Sequence, residues 1–523
     1  GSLTITGVTL NLGGNTLTAV GITGTGALNA TGAANVTTSG GLTIGTYTAG
    51  TLLTFSGDGN WSGGGNFGAV QINNTFTVTA LSDLTTNALT LTGDLTIGGN
   101  NLVSAGISGG GTLNAAGGGN VTTSGGLTAS YTAGAGLLTF SGSGTWSGGG
   151  NFGAVQINTG FTVTAGSTLA TGALTINGQL TMSSNDLTSA GITGTGTLSA
   201  AGTGNVTTSA GLTIGTYTAG TGLLTFSGSG GWSGGGNFGA AQVNTGFTVT
   251  AATGITTNAL AINGQLIMGV NALIAAGISG TGTLNAGGTG NVTTSAGLTV
   301  TNYTAGGLLT FSGTGNWSGA GPFGAVAVSG GTISVNTASV ATTTLNVNNG
   351  TLSAGANAVT ASGLITIGDG GGGAASAILN AGTGNVGAGA GLTINATDGD
   401  YNPGASGTLN FTGAGNWGPA PPAENYGTVI VTAAVLPQNA IVTGTLTITG
   451  GAVTLAMGGN ALTSAGISGT GTLDAAGAGN VTTSAGLTTA NYTAGSGTLE
   501  FTGTGGWSGS GPFGTTLVSG GTI

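Results

Sequence analysis

The sequence predicts an all-β chain wound as a parallel β-solenoid of about six ~85-residue repeats. Three observations predict it: six tryptophans spaced at near-constant intervals, a period of two among apolar residues, and glycine-rich corners between very short runs.

The repeat comes first. Trp61, Trp146, Trp232, Trp317, Trp417 and Trp507 stand at intervals of 85, 86, 85, 100 and 90 along the chain. Each sits in the same local sequence, as in LLTFSGDGNWSGGGNFGAVQIN (52–73) and LLTFSGSGTWSGGGNFGAVQIN (137–158). A Phe precedes each Trp by six positions: Phe55, Phe140, Phe226, Phe311, Phe411 and Phe501. In five units a second Phe follows by six: Phe67, Phe152, Phe238, Phe323 and Phe513. Asn-Val-Thr-Thr-Ser begins at Asn35, Asn120, Asn205, Asn291 and Asn480, and Tyr-Thr-Ala-Gly at Tyr47, Tyr131, Tyr217, Tyr303 and Tyr492. The chain reads as one continuous array with units near 1–85, 86–170, 171–256, 257–341, 342–443 and 444–523.

Within a unit, Phe76-Thr-Val78-Thr-Ala80 and Leu3-Thr-Ile5-Thr place apolar residues on one face of a strand and Thr on the other. Val, Ile, Thr, Phe and Tyr suit such pleated surfaces, and Gly accepts the positive φ of sharp corners. Interior Gly costs about 1 kcal/mol against Ala in a helix, so 119 glycines argue against helices. Two architectures accommodate these runs: a solenoid with coils of ~17–22 residues, four or five to a unit, or a string of six β-sandwich domains. The runs are short for sandwich strands, and no Pro- or charge-rich joint separates the units. The solenoid is the better fit.

Composition bounds function. There is no Lys, Arg, His or Cys in 523 residues, and the acidic side chains number ten. Nucleic acid and anionic membranes are bound chiefly through basic side chains, so neither is an expected partner. Gly, Thr, Ser or Asn interrupts every apolar run, so no membrane-spanning helix is expected. No disulfide and no thiolate chemistry can form. The chain opens at Gly1 with no initiator Met, as a processed product or a window of a longer chain would.

The segments LLTFSGSGTWSGGGNFGAVQIN and ALTINGQLTMSSNDLTSAGITGTGTLSAAGTGNVTTSAGLTI resemble the β-strand-repeat surface proteins of bacteria, similar in style to filamentous-haemagglutinin-type adhesins. The resemblance spans essentially the whole chain and is one of repeat style. It implies a parallel β-helix, an extracellular or cell-surface location, and an adhesive or structural role. The absence of basic residues departs from that style and counts against heparin-type receptors.

The repeated aromatic residues read first as a core stack giving a Gly-rich interior its large apolar surface, and second as a carbohydrate platform. The repeat Asn residues read as corner residues or inter-coil ladders; Asn-Val-Thr, Asn60-Trp-Ser and Asn491-Tyr-Thr also match the glycosylation sequon. Thr-x-Thr pairs such as Thr77/Thr79, Thr162/Thr164 and Thr248/Thr250 would form an ice-binding face only if present in every successive coil. In sequence they recur once or twice per unit, which leaves ice binding a minor alternative. The carboxylates Asp58, Asp83, Asp94, Asp186, Asp369, Asp398, Asp400, Glu424, Asp474 and Glu500 recur at no common position, so no metal site, cofactor or catalytic pair is expected. The fifth unit holds Pro403, Pro419, Pro421, Pro422 and Pro437 and reads as a larger loop, a minor candidate for a metal or partner site.

The expected function is therefore an extracellular structural protein forming a fibre, sheath or surface layer, and not an enzyme. An adhesin or an ice- or carbohydrate-binding solenoid is the alternative. The expected partner is another copy, head to tail, or the rest of a longer chain. The opening GSLTITG mimics GTLTITG at 444–450, and the closing VSGGTI repeats 328–333. Joining two copies would nearly continue the tryptophan spacing, falling only slightly short of the usual interval.

Overall fold

Alternation of apolar and polar residues with a period of two lets a strand bury one face and hydrate the other. The chain buries these runs by stacking coil on coil. The computed structural model describes residues 1–336, 339–370, 377–418, 424–433, 435–437 and 439–523. Among these there is no helix, and every registered strand pair is parallel. The fold is a parallel β-solenoid; six antiparallel sandwiches are excluded. The chain divides into two compact units, 1–257 and 258–523.

In the first unit one ladder runs Leu17–Val36–Leu53–Val70–Leu89–Ile107–Leu127–Trp146, buried from Val36 on, each step one coil of nearly constant length. A second ladder climbs Leu84–Leu102–Val121–Leu138–Val155–Leu174–Ile192–Leu212–Trp232. A third runs Leu3–Ile22–Leu42–Trp61 and on to Ala80. The coil thus has three faces, and the three tryptophans of this unit stand on three different ones.

The reason is arithmetic. From Trp61 the chain climbs its own face through Thr77–Ala80, Asp94–Thr96, Thr112–Asn114 and Ser130–Thr132, four coils in all. Two more faces, Leu137–Phe140 and then Gly144–Trp146, bring it to Trp146. One sequence repeat is therefore four and two-thirds coils. Equivalent residues turn by a third of a coil per repeat, so the tryptophans do not stack one above another on a single face.

The second unit repeats the pattern by itself. Trp317 follows Ile278 and Leu298, Trp417 follows Val326–Leu345–Ile365–Leu392, and Trp507 follows Val429–Leu446–Ile467–Leu487. Its coils swell within the fifth repeat: Leu352 pairs with Leu379, and Leu392 with Trp417, both longer steps than any in the first unit. This accounts for the long interval between Trp317 and Trp417. Pro419, Pro421 and Pro422 lie outside the described residues.

Glycine is obligatory at one recurrent corner. Gly41, Gly126, Gly211, Gly297, Gly391 and Gly486 all hold φ between 98° and 104°. A Cβ at Gly41 would collide with the backbone carbonyl of Asn60 in the next coil.

Candidate functional site

Each Trp lies in its ladder with Leu on one side. On the other side of the first four stands Ala80, Ala165, Ala251 or Val335, and Trp417 pairs onward with Pro437. A small residue beside the indole leaves the space it needs at interior packing density. Phe55 lies 5.1 Å from Trp61, Phe67 crosses its edge at 80°, and Tyr47 stacks on Phe67 at 5.3 Å. The same four-ring wedge recurs around Trp146, Trp232, Trp317 and Trp507. The Tyr-Thr-Ala-Gly marker is thus part of the aromatic core, a link that sequence reading missed. In the fifth repeat Tyr426 takes the place of the missing second Phe, with Tyr401 stacked on it.

Trp61, Trp146, Trp232, Trp317 and Trp417 are fully buried, as are Phe55, Phe140, Phe226, Phe311, Phe411 and Phe501. These rings are core and offer no sugar platform. Trp507 is the correction: it is 40% exposed. The other five indoles each have a strand on both sides, whereas Gly506–Ser510 pairs only with Gly486–Ala494, so one side of Trp507 stays bare.

The buried indoles carry a penalty. The Nε1–H of Trp61, Trp146, Trp232, Trp317 and Trp417 has no hydrogen-bond acceptor. Such an orphan costs about 1–3 kcal/mol. Burying an aromatic side chain of ~150–250 Å² at ~25 cal/mol/Å² contributes about 4–6 kcal/mol, so burial wins. Burial also raises the phenols: Tyr47, Tyr131, Tyr217 and Tyr303 are pushed up to about 12.

The Asn-Val-Thr-Thr-Ser marker separates into three roles. The Asn side-chain oxygen of Asn120, Asn205, Asn291 and Asn480 accepts the backbone N–H of Leu137, Leu223, Leu308 and Thr498 in the next coil, each at 2.9 Å. At Asn35 the backbone closes this corner instead, Thr51 N–H donating to Ala34 at 2.9 Å. Val is buried in the ladder. The second Thr (Thr38, Thr123, Thr208, Thr294 and Thr483) is fully buried and donates to the carbonyl of the positive-φ Gly that follows it, at 2.7–2.9 Å.

A further corner position escaped sequence reading. Shortly before Trp, at one fixed offset, stand Asp58, Ser143, Ser229, Thr314 and Thr504. Each side-chain oxygen accepts a backbone N–H one coil later, from Thr77, Thr162, Thr248, Thr332 and Thr522, at 2.7–3.2 Å. The signal was there: the residue type changes, but the side-chain oxygen persists.

Three further carboxylates serve the same purpose. Asp83, Asp94 and Asp186 accept the N–H of Asn101, Thr112 and Asn205. The bonds from Asn101 hold the Asp83 carboxyl below its ordinary pKa. Asp398 accepts from the backbone of Asp369 and Gly370. Among the described residues no three of His, Cys, Asp or Glu come together. In the second unit a groove of about 410 Å³ lies over Thr360, Gly387 and Asn410, and its wall is neutral.

The coil also assembles what the sequence scatters. Above Trp146, the outward residues of four successive coils are Thr162/Thr164, Gln179/Thr181, Thr197/Ser199 and Thr216/Thr218, in register. Above Trp61 they are Thr77/Thr79, Asp94/Thr96, Thr112/Asn114 and Ser130/Thr132. The Thr-x-Thr pairs themselves recur once or twice in each patch, as the sequence has them, at Thr162/Thr164 and Thr216/Thr218 and at Thr77/Thr79. Other polar residues fill the rungs between, so every coil of these patches carries an outward polar pair. Comparison with protein-family models, curated proteins and solved structures finds no match.

Proposed function

We propose that this chain is an extracellular structural protein whose coils build a fibre, sheath or surface layer. The observation that carries it is repetition. The same Leu–Trp stack, Thr–Gly turn and corner acceptor recur unit after unit. Stability in such an array is a sum over near-identical neighbours, and its product is length and surface. A role like that of bacterial β-strand-repeat surface proteins agrees with the same features.

Composition supports an exposed material. A chain without Lys or Arg offers trypsin-like proteases nothing to cleave after. With ten acidic residues as nearly its only ionised groups at neutral pH, its charge hardly varies above pH ~5.

End-to-end association of copies is part of this proposal. It rests on the parallel stacking itself, since one copy can add its coils to another as each coil here adds to the one before. Electron microscopy of purified material should show filaments or a lattice, and denatured intact mass separates association of copies from a single long chain. Dispersed particles at all concentrations would overturn the assembly. A mass several times that of this chain would replace association of copies by one long covalent chain.

A further inference from the structure

We propose that the Thr-rich ladders of the first unit are ice-binding faces. Four consecutive rungs above Trp146 carry eight outward positions, of which Thr162, Thr164, Thr181, Thr197, Thr216 and Thr218 are Thr. The residues between them, Val163, Leu180, Leu198 and Tyr217, are buried and hold the strands in line. Rungs of stacked strands lie ~4.8 Å apart, and alternate residues of one strand ~6.6 Å apart. The ladder is therefore a two-dimensional net of side chains with both periods set by the backbone.

Three features choose the occupant. Ice offers water oxygens in a fixed planar net, and liquid water does not, so only a regular array can tell the two apart through many weak contacts. Thr supplies a hydroxyl for such contacts and a methyl beside it, and its branched Cβ confines χ1, so the net is stiff before anything binds. The patch above Trp146 carries no ionised group: Gln179 and Ser199 complete it. Sugars are disfavoured here, because the Trp146 and Tyr217 rings beneath this face are buried and cannot stack on them.

The third-of-a-coil rotation adds a consequence. The ladder above Trp61, with Thr77, Thr79, Thr96, Thr112 and Thr132, stands on a different face from the one above Trp146. Ice can then be met from more than one side, which favours adhesion to ice over shaping of a single crystal plane.

The test is inhibition of ice recrystallisation by the full chain. It is compared with a variant carrying Thr79→Lys, Thr96→Lys, Thr164→Lys and Thr181→Lys, and with a control, Thr139→Lys, outside both ladders. The wild type and the control should inhibit equally. The ladder variant should need about tenfold more protein, a change of ~1.4 kcal/mol in surface binding. Unchanged far-ultraviolet circular dichroism shows that the variant keeps its fold. A misfolded variant is replaced by Thr164→Val and Thr181→Val with Thr79→Val and Thr96→Val, which keep shape and remove the hydroxyls. An inactive wild type, or ladder variants as active as wild type, would overturn the proposal. So would a ladder whose loss abolishes only pelleting with insoluble polysaccharide or lateral bundling of copies. The structural proposal is read separately, from filaments in the micrographs, and stands or falls without regard to ice.

Discussion

At the scale of single residues, the aromatic wedge dominates. Trp146 is fully buried between Leu127 and Ala165 in its ladder, with Phe140 and Phe152 at 5.1 Å. Trp146→Ala removes all of that contact and leaves a cavity that stacked backbones cannot close. A loss of about 3–5 kcal/mol is expected in denaturant unfolding of the first unit, less what is recovered by removing the orphan indole N–H. The same change at Trp507, 40% exposed, should cost clearly less. Equal losses at the two sites would mean that burial is not what the ring contributes. The sequence already showed that these rings recur. It did not show that the Tyr of another marker completes the cluster, because the two lie in successive coils.

At the scale of the element, corners decide whether one strand sits in register on the last. The Ser143 hydroxyl accepts the N–H of Thr162 at 3.0 Å, just where the Thr162–Ala165 strand begins. Removing such an acceptor leaves a strand end to water, as losing a helix cap does. Ser143→Ala should cost about 1 kcal/mol, and Ser143→Asp should be tolerated, since Asp58 fills the equivalent corner. Hydrogen exchange at the Thr162 amide gives a local readout; unchanged protection in Ser143→Ala would refute the role. Carboxylates at these corners looked random in sequence because Asp, Asn, Ser and Thr interchange there. Only the shared acceptor oxygen matters.

At the scale of the whole molecule, the near-absence of titratable groups predicts a flat pH profile with an alkaline edge. Tyr47, Tyr131, Tyr217 and Tyr303 have folded values of about 12 against 10.0 in the unfolded chain, because burial disfavours the phenolate. Their contribution is fully present below pH 10 and is lost as pH rises toward 12, where the unfolded chain has shed protons that the folded chain still holds. Asp83, held below its ordinary value, acts at the other end: its small contribution is lost as pH falls through the carboxylate range. The melting temperature should stay level from pH ~5 to ~9 and drop steeply above ~10. A steep slope between pH ~6 and ~9 would require a titrating side chain that this composition does not contain.

The sequence by itself determined that the chain is β, that apolar residues alternate into a core, and that one pattern recurs at the interval of the tryptophans. Period two and glycine spacing are local properties, and a single chain displays them. The tertiary structure alone decided the phase. The coil does not divide the repeat evenly, so Trp61, Trp146 and Trp232 fall on three faces, and scattered Thr pairs become continuous ladders. Whether a corner takes one residue more or fewer depends on positive-φ glycines and on hydrogen bonds to the coil below. Those partners lie a full coil away along the chain and meet only when the coil closes.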